Sequence, residues 1–217
     1  MDLTESYLKV IPEDVRQRYE LLETRNAAQI LAATNPAEFE EILEVLRDFR
    51  LAPNDITQAG GNKSRVAIRL DGEFRKLGWR EGRHDTTVKS VLTVMPYAAE
   101  GEKTARIIET EVTSQGYKVD NVKGRVALDV EWNAKDGNLD RDVGAYRALY
   151  ETSVIDGGVI ITRTQEDLRG LATRLGVRRF DTTTTTNLGK LEPRMTRGDA
   201  GGCPLLVVAI TDRCLET

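Results

Sequence analysis

Val119–Asp136, VDNVKGRVALDVEWNAKD, decides the reading of this chain. Two alternating runs, Tyr117–Val122 and Arg125–Trp132, meet at Lys123-Gly124, a pattern that predicts a β-hairpin. Alternation on the second strand puts Asp129, Glu131 and Asn133 on one face and Val130 and Trp132 on the other. Across the turn, Asp120 comes back towards Glu131. Acids buried side by side repel each other and lose hydration, so the pair needs something positive between them. A hard divalent cation such as Mg²⁺ meets that need with oxygen ligands and waters. Asp120, Glu131 and the backbone carbonyl of Trp132 are the expected ligands, and Asn133 is placed to orient a water or hold a phosphate. The spacing alone suits a solvated hairpin with two surface acids just as well.

Outward from the hairpin, the pattern alternates between helix and strand. Asp140–Tyr150 reads as a helix with Val143, Tyr146, Leu149 and Tyr150 inward. GGVIITR (Gly157–Arg163) is a short β-branched buried strand. Gln165–Leu175 is a helix stopped by Gly176, and CPLLVVAIT (Cys203–Thr211) is a last buried strand. Arg106–Thr113 leads into the hairpin as a strand. Upstream, Val15, Tyr19, Leu22, Ala27 and Ile30/Leu31 follow a helical spacing from Pro12 to about Ala33. Asn35-Pro36 then opens a second helix with the stripe Phe39, Ile42, Leu43, Leu46 and Phe49, ending near Pro53. The expected fold is α/β, a mixed central sheet flanked by helices with an N-terminal helical extension. It forms one domain, with residues 1–55 as its helical part and 104–217 as its core.

Composition narrows the chemistry. The 217 residues are 40% hydrophobic and 30% charged, with a formal net charge of −4, as in a water-soluble globular protein. No apolar run is long enough to span a bilayer, and MDLTESYLKV lacks the form of a signal peptide. Cys203 and Cys214 have neither zinc-ligand spacing nor the number a disulfide framework needs, so a reducing cytoplasm is the expected setting. His84 is the only histidine. Ser-His-Asp and multi-histidine metal chemistry are therefore hard to build, which leaves carboxylates, amides and lysines.

Two segments suit nucleic acid. Gln58–Thr87 is glycine-containing and basic in an acidic chain; Lys63 and Arg65 are candidates to hold phosphates, although a solvated surface fits it equally. Arg178–Gly202 carries five consecutive threonines, Thr182–Thr186, followed by Asn187, then Arg194 and Arg197 in a Gly-rich loop. Thr183, Thr184, Thr185, Thr186 and Asn187 offer donors and acceptors, and arginine reads guanine O6 and N7, a set that fits base edges.

VDNVKGRVALDVEWNAKDGNLDRDVGAYRALY, followed by GGVIITR, resembles the restriction endonucleases of the BglII/BstYI family, within the PD-(D/E)XK nuclease superfamily and close in architecture to BamHI. The core likeness runs from about Tyr117 to Arg163, and TTTTTNLGKLEPRMTRGDAGGCPLLVVAI extends it. The resemblance implies that Asp120 and Glu131 bind metal; a further acid from the preceding segment, Glu109 as the first choice, would complete the shell. Asn133 stands where the superfamily usually has lysine. Lys135, two residues on, would point the same way if the strand continued, and can fill that catalytic role or contact DNA. The Asp-to-Glu gap is two residues longer than in BglII, which preserves side-chain facing. The resemblance implies a type II enzyme using Mg²⁺ to cut both strands of a palindromic double-stranded DNA site, with a GATC core. It further implies a homodimer whose interface uses helices, Asp140–Tyr150 among them, a partner DNA methyltransferase, and the cytoplasm of a bacterium or archaeon. A binding protein without catalysis and a structure-specific nuclease on the same fold are the alternatives.

Overall fold

Three apolar runs, VALDV, GGVIITR and LLVVAI, are buried along their whole length, which places them at the centre of a sheet covered on both faces. The computed structural model describes residues 1–57, 64–177, 180 and 184–216. The first half holds β1 (Leu3–Thr4), α1 (Tyr7–Val10), α2 (Glu13–Arg16), β2 (Tyr19–Thr24), α3 (Ala27–Thr34), α4 (Pro36–Asp48), α5 (Pro53–Thr57) and α6 (Arg65–Lys76). Then come β3 (Arg80–Val94), β4 (Arg106–Lys123), β5 (Val126–Val130), α7 (Gly137–Glu151), β6 (Gly157–Arg163), α8 (Glu166–Arg174), α9 (Leu188–Arg197) and β7 (Leu205–Ile210).

The seven strands lie in the order β1-β2-β7-β6-β5-β4-β3. β5, β6 and β7 run parallel, while β4 pairs with β5 and β2 with β7 in antiparallel fashion. The mixed α/β sheet flanked by helices is therefore as the sequence predicts. Alternate side chains of the central strands feed two cores. Leu128, Val130, Val159, Ile161 and Val208 pack with α3, α4, α6 and α8. Ala127, Ile160, Val207 and Tyr146 belong to the second, with α7 and α9. Gly158 sets the distance on that side: a Cβ there would lie 2.2 Å from the Tyr146 ring, so α7 sits directly on β6.

Several segments differ from expectation. Pro12–Ala33 is not one helix; Tyr19–Thr24 forms β2 in register with β7, Tyr19 opposite Ile210 and Thr24 opposite Leu205. YELLET carries apolar residues at positions that satisfy both periods, and the partner strand decides between them. Arg25 and Asn26, both at positive φ, then turn the chain into α3. The N-terminal part is thus an integral edge of the sheet rather than a helical extension. Part of the basic segment is α6, because Val66, Ala67, Leu70 and Phe74 share one buried face and Ser64 Oγ caps Ala67 N–H. Residues 58–63 and 178–179, 181–183 and 217 lie outside the described residues, and with them Lys63 and Thr183.

The chain divides into two compact units, residues 1–82 with 118–217, and residues 83–117. Among the described residues no helix is long and apolar enough to cross a membrane.

Candidate active site

β5 ends at Val130, and the acids gather at that end. Asp129 is 2% exposed and holds two contacts: its Oδ1 accepts the Asp120 backbone N–H at 2.8 Å and its Oδ2 meets the Tyr146 hydroxyl at 2.8 Å. The same hydroxyl lies 2.8 Å from the Val159 carbonyl. A hydroxyl has one proton to give. If Val159 receives it, Asp129 must supply the other, and burial, followed by the Asp142 charge, pushes the Asp129 carboxyl up to about 8. The regular β4–β5 ladder runs from Asn121 to Lys123, so Asp120 stands where the ladder gives way to a side-chain contact.

Glu131 follows directly. Its N–H donates to the Ile161 carbonyl at 2.8 Å and its own carbonyl accepts the Thr162 hydroxyl at 3.0 Å, which pins the backbone beside β6. Its side chain is buried, and Oε2 meets no donor among the described residues. Burial first, then the charge and direct contact of Asp142, push the Glu131 carboxyl up to about 9. Asp142, on α7, is 1% exposed, also has an oxygen without a donor among the described residues, and is raised by burial against the opposing pull of Arg141. Asp120 adds charge to Asp129 and Asp142. Arg141 brings a positive charge to the cluster: it bonds Asp142 Oδ1 at 2.9 Å and lies 3.9 Å from Glu131 Oε1. Among the described residues this one guanidinium stands beside Glu131 and Asp142, and both carboxyls are raised in spite of it.

Asp120, beside Asp129, and Glu131, beside Asp142, are linked through these two acids, which the sequence reading does not single out. Asp142 had a readable signal. It lies on the inward face of α7 between Leu139 and Val143, and an acid on an apolar stripe needs a reason to be there. Glu109 belongs to the unit of residues 83–117, where it pairs with Lys89 at 3.4 Å.

The strand does not continue to the third position. Asn133 has φ +56°, a left-handed conformation that asparagine tolerates, and this ends the alternation expected to carry Lys135 to the same face. Asn133 Oδ1 is buried with no donor among the described residues. Trp132 is buried in the opposite core, which anchors its backbone. Lys135 is exposed, and its backbone bridges Thr185 in antiparallel fashion. Asp136 N–H bonds the Thr184 carbonyl at 2.8 Å and Thr186 N–H bonds the Ala134 carbonyl at 2.9 Å. The threonine run is therefore paired with the segment that follows the acids.

The candidate DNA-reading residues divide. Thr184 is exposed, Thr185 Oγ1 accepts from Arg163 at 3.0 Å, and Thr186 is fully buried. Asn187 is committed to the fold: buried, it caps α9 by accepting the Lys190 N–H at 3.1 Å. Arg194 and Arg197 lie in the last turn of α9 rather than in a Gly-rich loop, since Leu191 and Met195 bury one helical face. Arg194 holds Asp140 at 2.6 Å and Arg197 holds Asp199 at 2.7 Å. Arg65 is exposed at the first turn of α6.

Among the described residues, no three Asp, Glu, His or Cys side chains are already arranged to hold a metal ion. Mg²⁺ needs only one or two carboxylates and keeps its waters. The donor-less oxygens of Glu131, Asp142 and Asn133 and the raised carboxyls fit such a cation.

A mixed sheet with acids at the end of a central strand, between a hairpin and a crossover helix, is the arrangement of the restriction-endonuclease-like nucleases. The family model "Restriction endonuclease BglII/BglIII" matches residues 19–210, and the chain belongs to that family: it is a nuclease that acts on DNA. No curated protein matches the chain.

Proposed function

We propose that this chain is a type II restriction endonuclease that uses Mg²⁺ to hydrolyse both strands of a short palindromic DNA site, with a GATC core as the first target to test. A palindrome read by identical subunits requires a two-fold homodimer. A cognate methyltransferase in the same bacterial or archaeal cytoplasm would protect the host site. The observation that carries the reading is the buried acid cluster at the end of β5, where Glu131 Oε2 and Asp142 Oδ2 meet no donor among the described residues, in a chain of this family.

Asp120 and Glu131 would hold the cation, with the Trp132 carbonyl and Asp142 beside them. Bound there, it would supply Lewis-acid polarisation of the scissile phosphodiester and an acidified water. The protein's own groups do the rest. Glu131 cannot drift, because its backbone is tied to Ile161 and Thr162. Asn133 Oδ1, which meets no donor among the described residues, can accept a water proton. Arg141, half exposed, can leave Glu131 for a phosphate oxygen. Backbone pairing of Thr184–Thr186 with Ala134–Asp136 links the reading segment to the cutting segment. Arg65 and Lys63 are placed in the reading as phosphate contacts.

A binding protein without catalysis is the second reading. Asn133 favours it, together with a Lys135 exposed on backbone that has left the strand. Digestion of unmethylated phage DNA with Mg²⁺, beside Glu131→Ala, separates the two. Discrete fragments sharing one palindrome, absent with the variant, support the endonuclease. Intact DNA that is nonetheless shifted on a gel overturns it in favour of the binding protein.

A further inference from the structure

The unit of residues 83–117 contains parts of β3 and β4 joined through a 3-10 turn at Ala98–Glu100. Thr87 and Thr113 hydroxyls meet at 3.0 Å and Lys89 pairs with Glu109, which sets these side chains on one face of the ribbon. Alternation then fixes the other face. Val88, Leu92, Val94, Ile108 and Val112 lie on it, interspersed with Ser90, Thr110 and Ser114, and Arg106 at the margin is its one residue of fixed charge. All five aliphatics are 37–62% exposed. The charges Asp85, Lys89, Glu109 and Glu111 are on the opposite face, where they surround Val91 and Ile107, 57% and 62% exposed.

A two-stranded ribbon with one apolar face left in water is marginal by itself. Five half-exposed aliphatics amount to roughly 400 Å² of apolar surface, the size at which exposed patches mark interaction sites. Nucleic acid does not suit the ribbon, because four Lys/Arg stand against five Asp/Glu between Arg83 and Tyr117. A face with almost no charge can instead meet its own copy without repulsion. The helix Gly137–Glu151, which contains Asp140–Tyr150, one candidate for a dimer surface, turns Leu139, Val143, Tyr146 and Leu149 into its own core. We infer that the apolar face of the 83–117 ribbon is a self-association surface that packs against the same face of a second copy of this chain. The pairing is isologous, and would bury roughly 800 Å², less than the about 1,200 Å² at which standard interfaces begin, so the ribbon is one part of a larger contact. This inference rests on the two-fold dimer of the proposed function.

The test uses the full chain in sedimentation velocity across a dilution series. The double variant Leu92→Glu, Ile108→Glu should weaken the dimer about tenfold or more, while Val91→Glu on the opposite face leaves it unchanged. A second variant guards against misfolding. Cys203 and Cys214 are fully buried, so Ser90→Cys supplies the one accessible thiol and should give a disulfide-linked dimer under mild oxidation, whereas Thr87→Cys should not. A protein that stays dimeric with both glutamates and gives no crosslink overturns the ribbon while leaving the dimer intact. Variants that remain dimeric but lose DNA affinity assign the ribbon to DNA and overturn it equally. A monomer that still cuts both strands removes the dimer itself.

Discussion

Replacing Glu131 with glutamine should flatten the dependence of stability on pH in metal-free protein. Glutamine has the shape of the protonated acid and cannot ionise. In the folded protein the Glu131 carboxyl is raised from 4.5 to about 9 by burial and by Asp142, so folding takes up a proton throughout that window. The contribution of Glu131 to stability is therefore greatest below the ordinary carboxylate range and declines as pH rises towards 9, because there the unfolded chain binds fewer protons than the native one. From about pH 5 to about pH 8 the ceiling is three units at ~1.36 kcal/mol each, or ~4 kcal/mol. Sharing of the proton with Asp142 reduces the fraction removed by one substitution to ~2 kcal/mol, which for a chain of this size is about 4–8 °C in Tm. Thermal melts in EDTA at the two pH values, for the natural protein and Glu131→Gln, measure it directly. The natural protein should lose several degrees more than the variant between them. Parallel curves would refute the claim that Glu131 is protonated in the metal-free fold.

Further outcomes follow from single contacts. Tyr146→Phe removes the hydroxyl between Asp129 and the Val159 carbonyl, and should cost about 1–3 kcal/mol in urea unfolding at neutral pH. Asn187→Ala should cost about 1 kcal/mol through loss of the α9 cap, with Asn187→Asp retaining most of it; an unchanged midpoint would return Asn187 to the reading surface. Asn133→Ala should lower single-turnover cleavage on the order of 100-fold while leaving DNA affinity and Tm close to natural values. An equal loss of affinity would make Asn133 a DNA contact instead.

The sequence showed the core better than its margins. VALDV, GGVIITR and LLVVAI carry continuous apolar character that only a doubly covered sheet satisfies, and the observed strands agree closely. YELLET misled because a six-residue run cannot separate two periods, and β7, nearly two hundred residues away, makes the choice. Chemistry and pattern conflict at Glu131 beside Trp132, and there the structure buries the carboxyl next to Asp142. Asp142 is legible only as an acid on the apolar stripe of α7, because its partners come together when α7 folds back over β6. Alternation predicts Asn133 on a strand that in fact ends before it, since a left-handed backbone at asparagine leaves little mark in such a pattern. Asn187 looked like a reading residue, but its position before an amphipathic stretch is equally that of a helix cap, and the cap is what forms.

The central claim, that these acids form one cation site, is tested most directly by the protons released when the cation binds. Titration of DNA-free protein with Mg²⁺ or Mn²⁺ at about pH 7, by calorimetry in two buffers of different ionisation enthalpy, counts them. With Glu131 raised to about 9 and Asp129 to about 8, binding should expel about one to two protons, and Glu131→Gln should bind weakly and expel fewer. Binding with no proton release, or identical binding by Glu131→Gln, would place the cation elsewhere and contradict the account.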